Sequence, residues 1–456
     1  MRNKIIEIDI EDLAFNGQAV GHLDGKVVFV KGGLPGERVE ARITKTKRSY
    51  SHAKITRIIT KAPERIAPIC RHYDICGGCI WQDLAYERQL YYKQKQVSDC
   101  LKHLGKFEDV EITDIKPSPD LFFYRNKMEY SFHTASEQKS PRGFVLGLHE
   151  RGRFDFIFDV EECHLQSEIS NQMINAVRDD VESLQIPAYD LVRHKGFLRF
   201  LIIREAKNTG QSMMVIVTGE GDFVKKSEFI SGLIEKFPQL TTIAWVVNTS
   251  VTNIARGTLQ EILHGPGYIE EEIMGRRFRI SPESFFQTNS RQTEHLYRAA
   301  LELAELKKDD MLLDLYCGAG TIGLCAADKV SQVIGIEIEE SAVADARLNA
   351  EINNIDNCRF FAGDARKVLE SDDLRETKFD IVINDPPRAG MHPKALKRLI
   401  EIDAPRLVYI SCNPATFSRD AVALREAGYN LVKVIPFDMF PHTMHIELAA
   451  RFTKNN

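Results

Sequence analysis

The stretch that decides the fold is Met311-Leu312-Leu313-Asp314-Leu315-Tyr316-Cys317-Gly318-Ala319-Gly320-Thr321-Ile322-Gly323. Its first five residues have the apolar character of a buried strand, and three glycines follow in the spacing G-x-G-x-x-G. A glycine-rich turn between a strand and a helix lets the backbone approach a ligand closely. The stretch therefore predicts the first strand and the cofactor loop of a parallel sheet.

Strands and helices alternate around this turn. The apolar runs predict strands at Met311–Leu315, Gln332–Glu337, Arg359–Ala362, Asp380–Ile383, Arg406–Ser411 and Leu431–Pro436, with a helix at Ser341–Asn353. Continuous apolar strands between helices indicate a buried, doubly wound sheet. We expect residues 281–456 to form an α/β, Rossmann-like domain that binds its ligands at the carboxyl ends of the strands.

Acidic residues near the glycine turn distinguish between two cofactors. Glu337 lies 19 residues past the first glycine, where a ribose-binding acid belongs, and this spacing alone suggests a dinucleotide. Asp314 ends the first strand, where its carboxylate would repel a pyrophosphate and attract an ammonium and a sulfonium, so S-adenosylmethionine (SAM) is favoured. Asp364 either meets the adenine or caps a helix. Tyr316 and Gln287 either line the pocket or are structural.

Two strand-end motifs, Asn384-Asp385-Pro386-Pro387-Arg388 and Ser411-Cys412-Asn413-Pro414, supply the candidate chemistry. The two prolines fix a rigid turn that would hold Asp385 beside a reacting base. Asp-Pro-Pro is shared by several kinds of base methyltransferase, so it indicates a class of enzyme. Cys412 is either a nucleophile or a small buried residue. The two motifs together point to methyl transfer onto a pyrimidine ring.

That reaction requires one cysteine and one general base. Carbon 5 of uracil becomes nucleophilic only after a thiolate adds to carbon 6, and a base must later remove the carbon 5 proton. We predict Cys412 as the nucleophile, with Cys317 in the cofactor loop as its nearest rival. In the late strand Met444–Ala450, Glu447 lies between two apolar residues and is the predicted base. His445 is the second candidate.

Residues 1–62 have the pattern of a small β domain. Glycines and Pro35 separate β-rich segments at Lys26–Val30, Glu37–Ile43 and Ala53–Ile58, which fit an OB-like β-barrel of roughly five strands. Residues 41–63 contain no acid, and their basic residues are Arg42, Lys45, Lys47, Arg48, Lys54, Arg57 and Lys61, with Tyr50 and His52 between them. Such a stripe either binds RNA phosphates or guards a solvated strand edge.

Residues 63–280 predict a central α+β domain, with a helix at Tyr86–Leu104 and strands at Phe197–Ile203, Ser212–Val217 and Thr242–Asn248. The domain also carries a cysteine pattern: Cys70, Cys76, Cys79 and a candidate fourth thiol, Cys163. Four thiolates can hold a [4Fe–4S] cluster or a zinc ion, and the spacing does not choose between them. It differs from the C-x3-C-x2-C of radical SAM enzymes, so we expect a structural role.

Composition sets the outer limits. The chain has 456 residues, of which 43% are hydrophobic and 27% charged, and this length suits two or three globular domains. No apolar run reaches the roughly 20 residues that cross a bilayer, and no signal-peptide pattern is present. Nine cysteines, an odd number, do not suggest a disulfide scaffold. We expect a cytoplasmic monomer that makes no membrane contact.

Residues 285–456 resemble the RNA uracil-5-methyltransferase family. The resemblance lies in Phe285-Phe286-Gln287-Thr288-Asn289, Asp314–Gly318, the two strand-end motifs and His445-Ile446-Glu447. The N-terminal segment is similar to a TRAM domain, the OB-like RNA-binding module of this family. The resemblance implies SAM contacts at Gln287, Tyr316, Glu337 and Asp385, the nucleophile at Cys412, the base at Glu447, and a flipped uracil stacked on Phe285.

The resemblance also bears on the substrate. Bacterial members of the family modify uridines in 23S ribosomal RNA or in the T loop of tRNA. The 23S branch carries a [4Fe–4S] cluster on this cysteine pattern, whereas the bacterial tRNA branch generally lacks both the cluster and the TRAM domain. An iron–sulfur cluster and a 23S rRNA substrate are therefore implied.

Two other classes of function stay open at this point. An adenine-N6 or cytosine methyltransferase would also use Asp-Pro-Pro, but an amino methylase needs no Cys412. A non-catalytic RNA-binding or iron–sulfur protein would need neither Cys412 nor Glu447.

Overall fold

The computed structural model describes residues 3–15, 17–136, 138, 140–153, 155–372 and 374–454. The helices are α1 Tyr86–Asp99, α2 Glu168–Leu184, α3 Lys226–Lys236, α4 Ser290–Ala304, α5 Thr321–Ala326, α6 Glu340–Ile352, α7 Ala365–Leu369, α8 Pro393–Ile402 and α9 Pro414–Glu426. The strands are β1 Ile5–Asp9, β2 Asp12–Leu13, β3 Ala19–Leu23, β4 Lys26–Lys31, β5 Arg38–Thr46, β6 Tyr50–Thr60, β7 Glu111–Ile112, β8 Lys127–Thr134, β9 Phe144–His149, β10 Ile157–Asp159, β11 Leu198–Glu205, β12 Ser212–Thr218, β13 Thr242–Val247, β14 Thr258–His264, β15 Ile269–Ile273, β16 Arg276–Ile280, β17 Met311–Leu315, β18 Gln332–Glu337, β19 Cys358–Ala362, β20 Ile381–Asn384, β21 Arg406–Ser411, β22 Tyr429–Phe437 and β23 Glu447–Lys454.

The N-terminal sheet has the strand order β1-β5-β6-β4-β3-β2. Apolar residues alternate along its strands, as in β1, where Ile6 and Ile8 are buried and their neighbours are exposed. Its edge strands β1 and β2 follow one another in the chain. A Cβ on Gly21 of β3 would stand 2.3 Å from the carbonyl oxygen of Asp9. The sheet therefore curls until its two edges approach each other.

The central sheet has the order β10-β9-β8-β11-β12-β13-β14. Strands β11, β12 and β13 match the predicted strands to within two residues at each end. Helices α2 and α3 cover one face, where Val177 and Phe229 pack with Met214. On the opposite face, Val215 shares a core with Leu296 of α4. The central sheet is thus packed directly against the C-terminal domain.

The C-terminal sheet has the order β19-β18-β17-β20-β21-β23-β22-β7. Strands β17 to β21 are parallel, and β23 runs antiparallel between β21 and β22. The strand order reverses between β17 and β20, where Asp314 lies opposite Ile383. Open sheets of this kind bind ligands beyond the carboxyl ends of the strands at such a reversal.

Helix α1 and strand β7 precede the central sheet in the chain but pack on the C-terminal sheet. Val97 shares a core with Phe417, and β7 pairs with β22. The helix predicted at Tyr86–Leu104 is α-helical to Asp99 and ends in a π-helical turn, Cys100–Leu104. On its other side, α1 contributes to the core of the N-terminal sheet. Within the described part of the chain, no helix combines the length and apolar character needed to cross a membrane.

Candidate active site

A cavity of about 1660 Å³ lies beyond the carboxyl ends of β17, β18, β20 and β21. It brings together residues from all parts of the chain after the N-terminal sheet. The predicted site residues in its wall are Cys70, Cys76, Cys79, Cys163, Phe285, Gln287, Tyr316, Glu337, Asp385, Cys412, His445 and Glu447. Two predicted cofactor residues, Asp314 and Asp364, lie outside the wall.

The glycine turn is held in place by Glu337 at the end of β18. One carboxylate oxygen of Glu337 accepts a hydrogen bond from the Gly318 amide at 3.1 Å, and the other accepts from the Ile338 amide at 2.6 Å. Tyr316 adopts a left-handed conformation with φ of 61°. Its half-buried ring lies in the cavity wall. Tyr316, Gly318 and Glu337 thus form a polar corner suited to a ribose and its neighbouring groups.

Asp314 stabilises the glycine turn through a hydrogen bond with its backbone. Its Oδ2 atom accepts a hydrogen bond from the Gly323 amide at 2.9 Å, at the start of α5. Burial raises the pKa of Asp314 to about 8, so the carboxyl is largely neutral at pH 7. Its place in the sequence favoured a direct attraction for the cationic groups of SAM, whereas in the structure Asp314 contacts the backbone of the turn.

Asp364 caps a helix. Its Oδ1 atom accepts hydrogen bonds from the amides of Arg366 and Lys367 at the start of α7. The side chain is about half exposed and lies outside the cavity wall. Of the two roles that the sequence left open, the structure therefore shows the helix cap.

The Ser411-Cys412-Asn413-Pro414 turn holds Cys412 at the end of β21. Ser411 Oγ accepts a hydrogen bond from the Asn413 amide, and Asn413 Oδ1 accepts from the Ala415 amide, both at 3.1 Å. Pro414 occupies the first turn of α9, where a missing N–H is harmless. Asn413 also donates to the Arg388 carbonyl at 3.2 Å, which joins this turn to the Asp-Pro-Pro turn.

The ionisable groups around Cys412 perturb one another. Burial, followed by the charges of Glu447 and Asp385, raises the pKa of the Cys412 thiol to about 12, and Arg388 opposes this shift. Burial raises the pKa of Asp385 to about 7 and holds that of Glu447 well above its ordinary value. The Cys412 thiol is therefore protonated in the free protein at neutral pH, and burial favours the neutral form of the Glu447 carboxyl.

Burial shifts the pKa values of His445 and Glu447 in opposite directions. Burial, followed by the charge of Arg388, lowers the pKa of His445 to about 4, so its imidazole is neutral and able to accept a proton. The raised pKa of Glu447 disfavours its ionised, proton-accepting form. Both predicted candidates for the base lie in the cavity wall.

The loop with Phe285 and Gln287 is positioned by the central sheet. Arg204 of β11 is buried, and it donates to the Ser284 carbonyl at 2.6 Å. Asn126 donates to the Gln287 carbonyl at 2.8 Å. The ring of Phe285 itself is 66% exposed in the cavity wall. This leaves an aromatic face free for a planar ligand.

The four predicted metal cysteines lie in the same cavity wall as Cys412. Burial, followed by the proximity of the other thiols, raises the pKa of Cys79, and burial raises that of Cys163 to about 11. Arg151 donates to the carbonyls of Cys76 at 3.2 Å and Cys79 at 2.6 Å, which fixes their loop. Among the residues described, no three ligand side chains are spaced to hold a single metal ion.

Sequence reasoning missed a set of basic residues in the cavity wall. Arg125, Arg153 and Arg256 lie there together with His149. They come from three separate segments of the central region, and nothing in their local sequence marks them. A polyanion at the mouth of the cavity would meet these guanidinium groups.

The N-terminal sheet carries an aromatic cluster, and two of its members, Tyr50 and His52, lie in the basic stretch of the sequence. The rings of Phe29 and Tyr50 are 5.7 Å apart, and those of Tyr50 and His52 are 5.3 Å apart. The exposed side chain of Lys45 lies on β5, which pairs with β6, and those of Lys47 and Arg48 lie on the turn between these two strands. Stacking surfaces beside cations are suited to single-stranded nucleic acid.

Comparison with known proteins identifies the relatives of this chain. Residues 236–455 match the tRNA (uracil-5-)-methyltransferase family, and residues 1–56 match the TRAM domain. An RNA methyltransferase of Porphyromonas gingivalis is 38% identical, over 98% of this chain and 100% of the relative. One of Chlorobaculum tepidum is 37% identical, over 99% of this chain and 97% of the relative.

A solved structure matches over almost the whole chain. The tRNA (uracil-54, C5)-methyltransferase of Pyrococcus abyssi, crystallised with S-adenosyl-L-homocysteine, is 31% identical. The match has a TM-score of 0.77 and covers 98% of this chain and 100% of that one.

Fold, cavity and relatives define the class of this protein as an RNA methyltransferase with an N-terminal TRAM domain. More narrowly, the chain belongs to the tRNA (uracil-5-)-methyltransferase family, whose members use SAM as the methyl donor. The family resemblance and the TRAM domain expected from the sequence are confirmed.

Proposed function

We propose that the protein methylates carbon 5 of a uridine in RNA through a covalent bond between Cys412 and carbon 6 of the uracil. The observation that carries this proposal is the convergence of a thiol, two carboxyls and an exposed aromatic ring in one cavity wall beside the glycine turn. An amino methylase has no use for the thiol. A pyrimidine C5 methylase needs it.

The chemistry balances with groups in the cavity. The Cys412 thiol first loses its proton to solvent in the cavity, and the thiolate adds to carbon 6, which moves electron density onto carbon 5. Carbon 5 then takes the methyl group from the sulfonium of SAM, which leaves as S-adenosylhomocysteine. A base removes the carbon 5 proton, and the C–S bond breaks to restore the aromatic ring and the thiolate. Glu447 is the proposed base, and Asp385 and Arg388 set the charge around the reacting atoms.

For SAM, the wall residues Gln287, Tyr316, Glu337 and Asp385 are the proposed contacts. The ribose hydroxyls suit Glu337, which lies at the end of β18, where dinucleotide-type sheets hold a ribose. Asp385 begins the Asp-Pro-Pro turn directly after β20, and its charge acts on Cys412. The support for this placement is that all four side chains belong to one cavity whose wall includes Cys412.

Release of tritium tests the reaction directly. RNA that carries 5-tritiated uridine should lose one tritium for each methyl group transferred, since the carbon 5 hydrogen is the leaving group. An adenine or cytosine methylase would transfer methyl groups without releasing tritium from uracil. Methylation without release from 5-tritiated uridine would refute the proposal.

For the RNA, 23S rRNA is the proposed substrate and the tRNA T loop is the second candidate. The TRAM domain and the four cysteines support 23S rRNA through the family pattern given above. The match to a tRNA (uracil-54, C5)-methyltransferase over the whole chain supports tRNA. Mapping 5-methyluridine in both RNAs from a strain that lacks the gene decides between them, because only the true substrate loses the modification.

For the cysteines, a [4Fe–4S] cluster is proposed, with zinc as the alternative. The support for the cluster is the cysteine pattern of the resembled 23S branch, and the side chains of Cys70, Cys76, Cys79 and Cys163 lie in one cavity wall. Anaerobic protein should contain four irons per chain, and stoichiometric zinc without iron would contradict the cluster.

The TRAM domain is proposed to add affinity for RNA. Each phosphate contact in single-stranded RNA adds about 0.7 to the slope of log K against log salt concentration. Replacing Lys45, Lys47 and Arg48 by alanine should flatten that slope and leave SAM binding intact. Substitution is the cleaner test, because deletion of the domain would expose Trp81 and Tyr92, which pack in its core. An unchanged slope would contradict the role.

A further inference from the structure

The segment 438–446, which we name the base loop, runs from β22 to Glu447 at the start of β23. It contributes Phe440, Thr443 and His445 to the cavity wall. Whatever fixes the base loop therefore fixes the position from which Glu447 acts. The inference below rests on the proposed function and concerns how this loop is held.

His442 is the most constrained residue of the base loop. It adopts a left-handed conformation with φ of 66°, which a histidine adopts rarely. Its carbonyl oxygen accepts hydrogen bonds from the amides of Ile80 at 3.0 Å and Trp81 at 3.1 Å. Its ring stacks on Phe122 with centroids 4.4 Å apart. The base loop is thus tied to the segment that directly follows Cys79.

Gln89 of α1 completes this attachment. Its side chain is fully buried, and its Oε1 atom accepts a hydrogen bond from the His442 amide at 2.9 Å. Its Nε2 atom donates to the carbonyls of Trp81 at 2.9 Å and Leu84 at 2.8 Å. One amide side chain therefore joins the base loop to the segment after the cysteines.

Two further side chains hold the first half of the base loop, residues 438–441. Lys93, one turn further along α1, donates to Asp438 at 2.6 Å and to the Phe440 carbonyl at 3.0 Å. Tyr124 donates to the Pro441 carbonyl at 3.1 Å. His442 and Gln89 thus supply the hydrogen bonds between the base loop and the segment that follows Cys79.

We propose that Gln89 is a positioning residue for the base: it locks the base loop onto the Ile80–Trp81 segment and thereby couples the cysteine site to proton removal by Glu447. Methyl transfer itself depends on Cys412, whose turn Gln89 does not touch. Loosening the base loop should therefore slow the last steps, deprotonation and release, more than the first.

The test compares Gln89→Leu with Gln96→Leu. Gln96 lies on the same helix, is also buried, and bonds the Ala14 carbonyl at 3.2 Å instead of the base loop. Gln89→Leu should bind SAM and RNA normally, lose about 100-fold in kcat, and accumulate a methylated RNA–protein adduct that survives denaturing electrophoresis. Gln96→Leu should release its product and accumulate no such adduct.

A second comparison tests the link to the cysteines. Cys79→Ser should accumulate the same adduct, and the Cys79→Ser/Gln89→Leu double variant should lose no more kcat than the worse single variant, because both act through one connection. If Cys79→Ser does not fold, the Gln89 and Gln96 pair still decides the proposal. Multiplicative losses in the double variant would overturn the coupling.

Three results of these assays would overturn the positioning role of Gln89. They are normal product release by Gln89→Leu, loss of its activity without an adduct, and an equal adduct in Gln96→Leu.

The variants Glu447→Gln and Cys412→Ala are assayed alongside, to separate failure of the positioning role from failure of the proposed function. If both of those turn over normally, the proposed function fails, and the positioning role fails with it. If they behave as expected while Gln89→Leu does not, only the positioning role is lost.

Discussion

The turn that carries Cys412 and the loop that leads to Glu447 lie in one cavity wall but are held in opposite ways. The Cys412 turn is fixed mainly by its own neighbours, through hydrogen bonds of Ser411 and Asn413 within residues 411–416, with one further bond from Asn413 to the Arg388 carbonyl. The base loop is fixed by Gln89, Lys93 and Tyr124, which are more than 300 residues away in the chain.

This difference separates the two halves of the proposed reaction. A turn held by local hydrogen bonds forms wherever its strand and helix form. A loop held by distant residues forms only when α1, the central region and the C-terminal sheet are assembled. The nucleophile should therefore tolerate changes elsewhere in the molecule, while the base should be sensitive to them.

The largest effect is expected from replacing the two reactive groups themselves. Cys412→Ala should bind SAM and RNA and transfer no methyl group, because carbon 5 is never activated. Glu447→Gln should transfer the methyl group and then stall as a methyl-labelled RNA–protein adduct on denaturing gels. The double variant should show no adduct, and an adduct that persists without Cys412 would identify another nucleophile. Normal turnover by Glu447→Gln would move the base to His445.

Removing the buried ion pair behind the base loop should cause the next largest effect. Lys93 and Asp438 are both fully buried, and breaking such a pair costs about 3–5 kcal/mol because one charge is left without a partner. Lys93→Met should lose that much free energy of unfolding in urea. Lys95→Met is the control, since Lys95 is about one-third exposed and should lose at most about 1 kcal/mol. Equal losses of unfolding free energy in Lys93→Met and Lys95→Met would show that the buried pair at the base loop stabilises the fold no more than an exposed pair does.

The pH dependence of Cys412 reactivity tests the surroundings of the Cys412 turn, the other region of the comparison. A thiol whose pKa is raised to about 12 is protonated at neutral pH, so its thiolate fraction grows with each unit of rising pH below that value. Alkylation of Cys412 by iodoacetamide should increase about 100-fold between pH 7 and pH 9. Arg388→Gln should slow it further, because the opposing positive charge is lost. Peptide mapping by mass spectrometry measures both rates, and a plateau below pH 9 would disprove the raised pKa.

Loss of the exposed ring should affect RNA and leave SAM binding unchanged. Phe285→Ala removes a stacking surface worth about 1–3 kcal/mol per base, so RNA affinity should fall by that amount. The target uridine must leave its stack before Cys412 can reach carbon 6, and loop RNA should be methylated faster than paired RNA. Tyr91→Ala is a matched control, because Tyr91 is an exposed aromatic residue of α1 outside the cavity wall. Equal RNA affinities of the two variants would rule out stacking on Phe285.

The smallest effect is expected at the helix cap of the Cys412 turn. Asn413→Ala should cost about 1 kcal/mol of unfolding free energy, and Asn413→Asp should restore most of it, because aspartate is an equally good cap. Thermal or urea unfolding measures both. A loss as large as that of Lys93→Met would show that the nucleophile turn also depends on the wider fold.

The sequence predicted those parts of the site whose structure is encoded within a few residues. Strands β17, β18 and β21 have their predicted bounds, and Cys412 and Asp385 lie at the predicted strand ends. Apolar strands, glycine turns and proline-bounded caps depend on φ, ψ and hydrogen bonds between near neighbours. Such interactions are visible in the chain before it folds.

The sequence was less informative about what each acidic residue contacts. Asp314 and Asp364 both follow or end strands as predicted, yet one supports the glycine turn from below and the other caps α7. A carboxylate can accept hydrogen bonds from a bound ligand or from a backbone amide, and its position in the sequence is compatible with either partner. Only the direction of the side chain in the folded domain distinguishes them.

By itself, then, the sequence determined the C-terminal fold class, the strand-end turn of Cys412 and the family. Tertiary structure alone decided that the base loop meets Gln89 and Lys93 and that Arg204 reaches the Phe285 loop. The physical reason is the range of the interactions. Local hydrogen bonds follow from adjacent residues, whereas burial brings distant residues together only when the whole apolar core has formed.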